Sequence, residues 1–381
     1  MRTIIDLLRQ GRFAEIEAQF APRLRAAVSA DAVESAWSLE TARIGPIVAV
    51  GDPVREPGAE EGLTRLRIPV TGERGSLEVV MSVDNTGLLH GLRLAALSDV
   101  EWSAPRYARR WRFREQNLGS STLTLPRWRR PRAGVVLLAG AGPFDRDGAA
   151  GPLKPMKDLA WGLASRGIAV LRFDKATTQA ATMIDEYVEP ALAAVGVLRR
   201  HTGQIFVVGH SGGGKAAPRV AAADPSIAGI AILAGDAAPL SQAAVRVARH
   251  LGADEALTQQ AARVDDPDLS PSTPAADLLF GWPATYWLDL RTYDQIATAA
   301  ALSCPVLILQ GGRDHQVTVA DDLTLWRDGL ARRPDVTFRI HEADDHMFIP
   351  EDGPQNVDRA VVDDIARFVA EVTGRRRGRR S

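Results

Sequence analysis

The chain has 381 residues, of which 45% are hydrophobic and 24% are charged, and its formal net charge at pH 7 is −1. This length predicts one large and one small domain, with enough apolar material for a core. The near-neutral charge gives no electrostatic attraction for nucleic acid or for an anionic membrane, so neither is an expected partner. The single cysteine, Cys304, excludes an internal disulfide and a cysteine-based metal cluster.

The N-terminal segment carries charges within its apolar run and lacks the uninterrupted apolar region of a signal peptide. No apolar stretch approaches the length of a membrane span. We therefore expect a cytoplasmic protein.

Residues 1–98 are predicted to form a small α+β domain. Helical periodicity over residues 4–28 predicts two helices separated at Gly11, and Ser29 caps a third. A period of two then predicts the strands of an antiparallel meander, at 48–50, 63–70, 77–83 and 88–94. The domain has one histidine, His90, and no cluster of catalytic groups, so we interpret it as a structural or dimerising module. A homodimer formed through it is a hypothesis.

Residues 99–373 are predicted to form a second, larger domain. Strands alternate with helices, which is typical of a doubly wound, mostly parallel α/β sheet with helices on both faces. The strands are expected at 135–138, 168–173, 205–208, 230–233, 306–310 and 337–341. Between 236 and 300 the alternation gives way to an Ala-rich helical stretch, predicted to be a cap over the C-terminal edge of the sheet. We interpret the basic segments 127–130 and 374–381 as a solvated turn and a disordered tail.

The motif G-x-S-x-G at residues 209–213 lies between a predicted strand and a predicted helix. That context is typical of a nucleophile elbow, with Ser211 as the nucleophile. Gly209 and Gly213 are needed because a Cβ there would collide where strand and helix cross. The N–H of Gly212 is placed to bind an oxyanion. The motif alone is weak, because it arises by chance in Gly-rich chains.

A serine nucleophile needs a base and an orienting acid. Asp314 and His346 each follow a predicted strand, so they share the rim of the sheet with Ser211, and the order Ser, Asp, His is that of an α/β-hydrolase. Asp345 is the serious rival for the acid. We interpret His210 as shaping the turn.

The loop after the first long strand of the larger domain, residues 139–148, is rich in glycine and alanine. Its small residues let backbone N–H groups approach a substrate carbonyl, so it is expected to supply the second oxyanion donor. Ala141 is favoured for this role, with Gly142 next. A phosphate-binding loop is disfavoured because the spacing of its glycines and the Walker lysine are missing.

Several segments together carry a resemblance to a known family: 141–148, 171–175, the elbow, 286–294, 307–317 and 346–348. They resemble bacterial serine hydrolases of the α/β-hydrolase superfamily, in the group of prolyl-oligopeptidase-like and dienelactone-hydrolase-like esterases. The segment before residue 99 resembles the DUF3887-type domain often fused ahead of them. The resemblance implies Ser211 as nucleophile, Asp314 as acid, His346 as base, and the amides of Ala141 and Gly212 as oxyanion hole.

The chain departs from that family at the rim of the site. Ala139 stands where the family has a His before glycine, and His315 stands where it has a Tyr. Asp344 and Asp345 replace a Leu-Asn pair before the base histidine. Residues 176–178 replace an Arg-Gly-Gly-like turn. These changes leave the triad intact but reshape the rim of the pocket, and they predict an altered substrate or an altered reaction.

The expected reaction is hydrolysis of a small carboxylic ester or thioester through an acyl-enzyme on Ser211, with no metal or cofactor. An acyltransferase or cyclase using the same triad is the nearest alternative. A peptidase or a non-catalytic scaffold is less favoured. The expected substrate pocket is lined by Gly142, Phe280, Trp282, Tyr286, Trp287 and His315, with Leu278 and Leu279 beside them.

Overall fold

The computed structural model describes residues 2–57, 62–97, 102–142, 144–175, 180–250 and 255–378. The chain divides into two compact units. The first contains residues 1–101 and 244–284, and the second contains 102–243 and 285–381.

The N-terminal part of the first unit packs helices on an antiparallel sheet. Its helices are α1 (Arg2–Arg9), α2 (Phe13–Glu17), α3 (Pro22–Ala27) and α4 (Ala30–Ile44). Its strands are β1 (Ile47–Val50), β2 (Val54–Pro57), β3 (Thr64–Gly72), β4 (Ser76–Val83) and β5 (Leu89–Leu97). The strand order is β1-β3-β4-β5, with β2 also paired to β3. Alternate residues of β3 and β4 are buried against the helices, as a half-buried sheet requires.

The four predicted strands are confirmed, and the hydroxyl of Ser29 caps α4 by accepting a hydrogen bond from the N–H of Ala32 at 3.2 Å. Two details differ from the prediction. Residues 4–28 form three helices because Pro22 starts a new one, as proline does at a first helical position. The short strand β2 was not predicted, since Val54 is exposed and the strand shows no apolar alternation.

The second unit is built on an eight-stranded sheet in the order β13-β12-β11-β10-β8-β9-β7-β6. Its strands are β6 (Phe113–Asn117), β7 (Ser121–Pro126), β8 (Gly134–Leu138), β9 (Ala169–Phe173), β10 (Ile205–His210), β11 (Gly229–Leu233), β12 (Val306–Gly311) and β13 (Val336–His341). Pairing is parallel from β13 through to β9, and β7 and β6 are antiparallel.

Helices follow most strands of this sheet: α5 (Pro155–Ser165), α6 (Glu189–Arg199), α7 (Gly212–Ala223), α10 (Ala284–Arg291), α11 (Gln295–Ala301), α12 (Thr324–Gly329) and α13 (Arg359–Gly378). Two further helices, α8 (Leu240–His250) and α9 (Glu255–Asp265), lie in the segment between β11 and α10. Every residue of β8 to β12 is buried, as expected for parallel strands covered on both faces. The fold is that of a doubly wound α/β sheet, and it confirms the predicted strands.

The segment predicted as a cap, residues 236–300, is helical, but its central part does not group with the sheet that precedes it. Residues 244–284 belong to the first unit, where α3 packs against two short 3₁₀ turns, Ala275–Asp277 and Leu279–Gly281. The predicted boundary therefore needs this correction: the chain leaves the α/β sheet, joins the first unit, and returns.

The C-terminal tail was predicted to be disordered from residue 374, but α13 continues through Gly378. Arginine is a good helix former, and its charge is favourable near a helix C-terminus, so the basic run extends the helix. Residues 379–381 lie outside the described part of the chain. Among the described helices, none combines the length and apolar character that crossing a bilayer demands.

Candidate active site

Ser211 lies in a sharp turn between β10 and α7. Its backbone has φ 53° and ψ −120°, a conformation that residues other than glycine rarely adopt. Its N–H donates to the carbonyl of Leu233 at 2.8 Å. A Cβ on Gly209 would lie 2.0 Å from the carbonyl oxygen of Gly213, and one on Gly213 would lie 2.4 Å from that of Leu138. Both glycines are therefore required, as the sequence predicted, and the turn has the strained geometry that is typical of a nucleophile elbow.

His346 and Asp314 meet at the same rim of the sheet. The Nδ1 of His346 lies 2.8 Å from Oδ2 of Asp314, and both side chains are buried. The second oxygen of Asp314 accepts the N–H groups of Gln316 at 2.8 Å and Val317 at 2.9 Å. Burial raises the pKa of Asp314, but the hydrogen bond and charge of His346 and these amides outweigh it, so the pKa is lowered overall. The carboxylate is thus held ionised against the imidazole.

Asp345, the rival acid, has a different set of partners. Its Oδ1 accepts the N–H groups of Met347 at 2.8 Å and Ile349 at 2.9 Å, which closes the turn directly after His346. This geometry favours Asp314 as the partner of the imidazole and gives Asp345 a role in shaping the loop.

His210, next to the serine in sequence, holds the loop of His346. Its Nε2 lies 2.7 Å from the carbonyl oxygen of His346, and the two ring centroids are 4.8 Å apart. Burial, together with the neighbouring His346, lowers the pKa of His210 to about 3. The ring is therefore neutral, and its Nε2–H donates to this carbonyl. This hydrogen bond joins the elbow to the loop that carries His346.

The predicted oxyanion donors lie side by side next to the elbow. A Cβ on Gly212 would come within 2.9 Å of the amide nitrogen of Ala141, and a Cβ on Gly140 within 3.3 Å of the Cβ of Ser211. Gly212 is the first residue of α7, where N–H groups have no acceptor within the helix. Two backbone N–H groups are thus available beside the serine.

A buried polar cluster behind the oxyanion loop was missed by the sequence prediction. The ammonium of Lys175 donates to the carbonyl of Gly140, to Oε1 of Glu186 at 2.9 Å and to the hydroxyl of Tyr187 at 2.9 Å. The hydroxyl of Tyr187 also donates to the Gly140 carbonyl at 3.1 Å, and that of Tyr286 donates to Glu186. Two donors therefore fix the Gly140 carbonyl, and so the plane of the peptide whose N–H belongs to Ala141.

Burying these charged side chains costs free energy, so the cluster needs a functional explanation. Burial lowers the pKa of Lys175 although Glu186 acts in the opposite direction, because removing an ammonium from water disfavours its charge. Both side chains of the pair are almost fully buried. One signal was present in the sequence: the chain has lysine at only four positions, and Lys175 lies two residues after a buried strand. The partner Glu186 could not be read from the pattern.

The predicted pocket residues are distributed between the two units. In the second unit, Tyr286 and Trp287 are buried within α10, and Tyr286 serves the cluster described above. His315 is exposed, next to Asp314. In the first unit, Phe280 is exposed with φ 60°, and its ring lies 5.4 Å from that of Trp282. Gly142, in the oxyanion loop, has φ 101°.

The doubly wound sheet, the strained serine elbow and the Asp–His pair after the later strands define the class as α/β-hydrolase. The chain is 30% identical over 323 residues to Esterase EstD of Thermotoga maritima, covering 78% of this chain and 78% of the relative. The chain belongs to this family of α/β-hydrolase esterases and is a serine ester hydrolase.

The chain is also similar to solved structures at low sequence identity. Est1E from Butyrivibrio proteoclasticus is 17% identical with a TM-score of 0.47, covering 69% of this chain and 99% of its own. A Mycobacterium tuberculosis puromycin-hydrolyzing peptidase is 18% identical with a TM-score of 0.49, covering 86% of this chain and 53% of its own. No family model matches the chain.

Proposed function

We propose that the chain cleaves a small carboxylic ester or thioester through an acyl-enzyme on Ser211. His346 acts as the general base and Asp314 as its orienting acid. The observation that carries the proposal is the 2.8 Å hydrogen bond from Nδ1 of His346 to a buried, ionised Asp314. That bond puts the Nδ1 proton towards the carboxylate and leaves the other ring nitrogen, Nε2, as the acceptor for a serine proton.

The reaction proceeds in two halves. Ser211 Oγ attacks the acyl carbon while its proton passes to Nε2 of His346, and the new oxyanion is held by the N–H groups of Ala141 and Gly212. The tetrahedral intermediate collapses, the bond to the alcohol or thiol breaks, and His346 returns the proton to that leaving group. Water then attacks the acyl-enzyme with His346 again as base, which releases the carboxylic acid and restores the serine.

Lys175 is assigned a positioning role in this scheme. Its ammonium and the hydroxyl of Tyr187 hold the Gly140 carbonyl, so the Ala141 N–H is oriented before substrate arrives. Preorganised donors need no reorientation during the reaction, which is why such backbone contacts contribute strongly to rate.

The test combines covalent labelling with turnover. The full chain is treated with a fluorophosphonate and its intact mass is measured, and hydrolysis of p-nitrophenyl acyl esters of increasing chain length is followed in parallel. We expect one adduct and turnover in the wild type, both lost in Ser211→Ala. Ser303→Ala is the matched control, since Ser303 is exposed on a loop before β12 and should keep both.

Each outcome bears on a different part of the proposal. An adduct without ester turnover would point to acyl transfer in place of hydrolysis. An adduct that persists in Ser211→Ala would contradict the assignment of the nucleophile. Turnover of acyl-thioesters, assayed beside the oxygen esters, would support the thioester part of the proposed substrate class.

A further inference from the structure

Three potential metal-ligating side chains converge beside the loop that carries His346. His341 is the last residue of β13, Asp344 lies in the loop itself, and Asp358 immediately precedes α13. One nitrogen or oxygen atom from each lies within 4.8 Å of the others. The three come from successive elements of one stretch of chain, so a single ion there would join the strand, the loop and the helix.

Asp344 has no partner that explains its position. It is 0% exposed, and neither carboxylate oxygen has a hydrogen-bond partner among the described residues. Nε2 of His341 is also buried and makes no hydrogen bond within the described part of the chain, although it lies at ion-pair distance from the carboxylate of Asp364. A buried carboxylate without a hydrogen bond or counter-ion is strongly unfavourable, so such groups are normally paired or bound to a metal.

The arginines near these three side chains form ion pairs with other acidic residues. Asp364 is paired with Arg367 at 2.9 Å and Arg339 at 3.5 Å, and lies 3.4 Å from Nε2 of His341. Arg313 contacts Glu351 at 3.4 Å and donates to the carbonyl of residue 343. Among the described residues, no arginine or lysine forms an ion pair with Asp344 or Asp358; Oδ1 of Asp358 accepts the N–H of Ala360 at 3.0 Å, and the carboxyl of Asp344 has no hydrogen bond.

We propose that His341, Asp344 and Asp358 form a structural site for a divalent transition-metal ion of the zinc type. One imidazole nitrogen with two carboxylate oxygens suits Zn²⁺, whereas Mg²⁺ and Ca²⁺ prefer oxygen alone. Tetrahedral zinc ligands lie about 3.4 Å apart, so the three side chains need to close only slightly from their present spacing. A water molecule would complete the coordination.

The ion would stabilise the loop that carries His346 and would take no part in the reaction itself. Asp344 is two residues from His346, and its backbone carbonyl accepts the N–H of Arg313 at 2.9 Å, next to the acid Asp314. The N–H of Asp358 donates to the carbonyl of Phe348 at 2.8 Å, which closes the other side of the loop. Coordination would therefore fix the loop at both ends. Asp344 supplies the central ligand of the three.

The experiment measures metal content and thermal stability of the full chain. Protein freed of metal with EDTA and desalted is titrated with ZnCl₂, and its bound zinc and melting temperature are recorded. We expect one zinc ion per chain and, at a zinc concentration about 100 times the dissociation constant, a rise in melting temperature of about 5 °C. Asp344→Asn and His341→Gln should each abolish the rise.

Two controls make the result decisive. Glu342→Gln removes the same charge from an exposed residue of the same loop and should keep the full zinc-dependent rise. Metal-free Asp344→Asn should melt no lower than the metal-free wild type, because it replaces a buried carboxyl group that has no hydrogen bond with a neutral amide of the same size, so a lost response cannot be attributed to misfolding. No zinc response in the wild type, an unchanged response in Asp344→Asn, or a response to Ca²⁺ alone would overturn the proposal.

Discussion

The buried imidazole of His210 makes the stability of the second unit depend on pH. Its Nε2–H donates to the carbonyl of His346, and its pKa is lowered to about 3 from the usual 6.5 by burial and by the neighbouring ring. A folded pKa below the unfolded one means that the unfolded chain binds the proton more readily. The stabilisation is therefore complete above about pH 6.5 and is lost as the pH falls towards 3.

The magnitude follows from the two pKa values. Between pH 7 and pH 5 the unfolded imidazole becomes protonated while the folded one stays neutral, so linkage predicts a loss of about 2 kcal/mol of unfolding free energy from this group. The full difference, reached near pH 3, is about 5 kcal/mol. His210→Gln keeps a donor for the His346 carbonyl but does not titrate, so it should lose this contribution to the pH dependence.

The assay is urea unfolding of wild type and His210→Gln at pH 7 and pH 5, with EDTA present throughout. Other groups titrate equally in both proteins, so the difference between their pH dependences isolates His210. We expect the wild type to lose about 2 kcal/mol more than the variant between the two pH values. Equal losses in the two proteins would refute the conclusion that His210 is buried and neutral.

Three further changes, two of them paired with a control substitution, test the site. Asp314→Asn should lower kcat by about 10³- to 10⁴-fold in ester hydrolysis, while Asp345→Asn, which keeps an acceptor for its loop amides, should stay near wild type. Gly209→Ala should prevent soluble expression because its Cβ would lie 2.0 Å from a carbonyl oxygen. The control Gly196→Ala, with open space around it in α6, should raise the free energy of unfolding by up to about 1 kcal/mol in a denaturant titration. Lys175→Met should lower kcat by about 10-fold or more with little change in KM, since it frees the oxyanion loop without touching substrate.

The buried Lys175–Glu186 ion pair has a desolvation cost, and its role beside the active site explains why the fold contains it. An apolar pair of similar volume would often be equally stable, so the ion pair has little value as a source of stability alone. Its value lies in the carbonyl it holds, since the two donors on Gly140 fix one peptide plane beside the serine. The kcat measurement on Lys175→Met, made beside an unfolding curve, separates these two roles.

The sequence by itself determined the class of this protein. Strand and helix periodicity depends on local burial, so the parallel sheet, the elbow at Ser211 and the rim positions of Asp314 and His346 could be read from one chain. The glycines at 209 and 213 were predictable for the same reason, because the crossing of strand and helix leaves no space for a Cβ.

The tertiary structure decided which groups meet. Asp314 and Asp345 were both open as the acid until the fold put the first against Nδ1 of His346 and turned the second towards its own loop amides. The joining of residues 244–284 to the first unit depends on packing between segments more than 200 residues apart, for which periodicity gives no signal. The cluster around Lys175 and the convergence of His341, Asp344 and Asp358 arise likewise from contacts between separate elements, and such contacts exist only once the chain has folded.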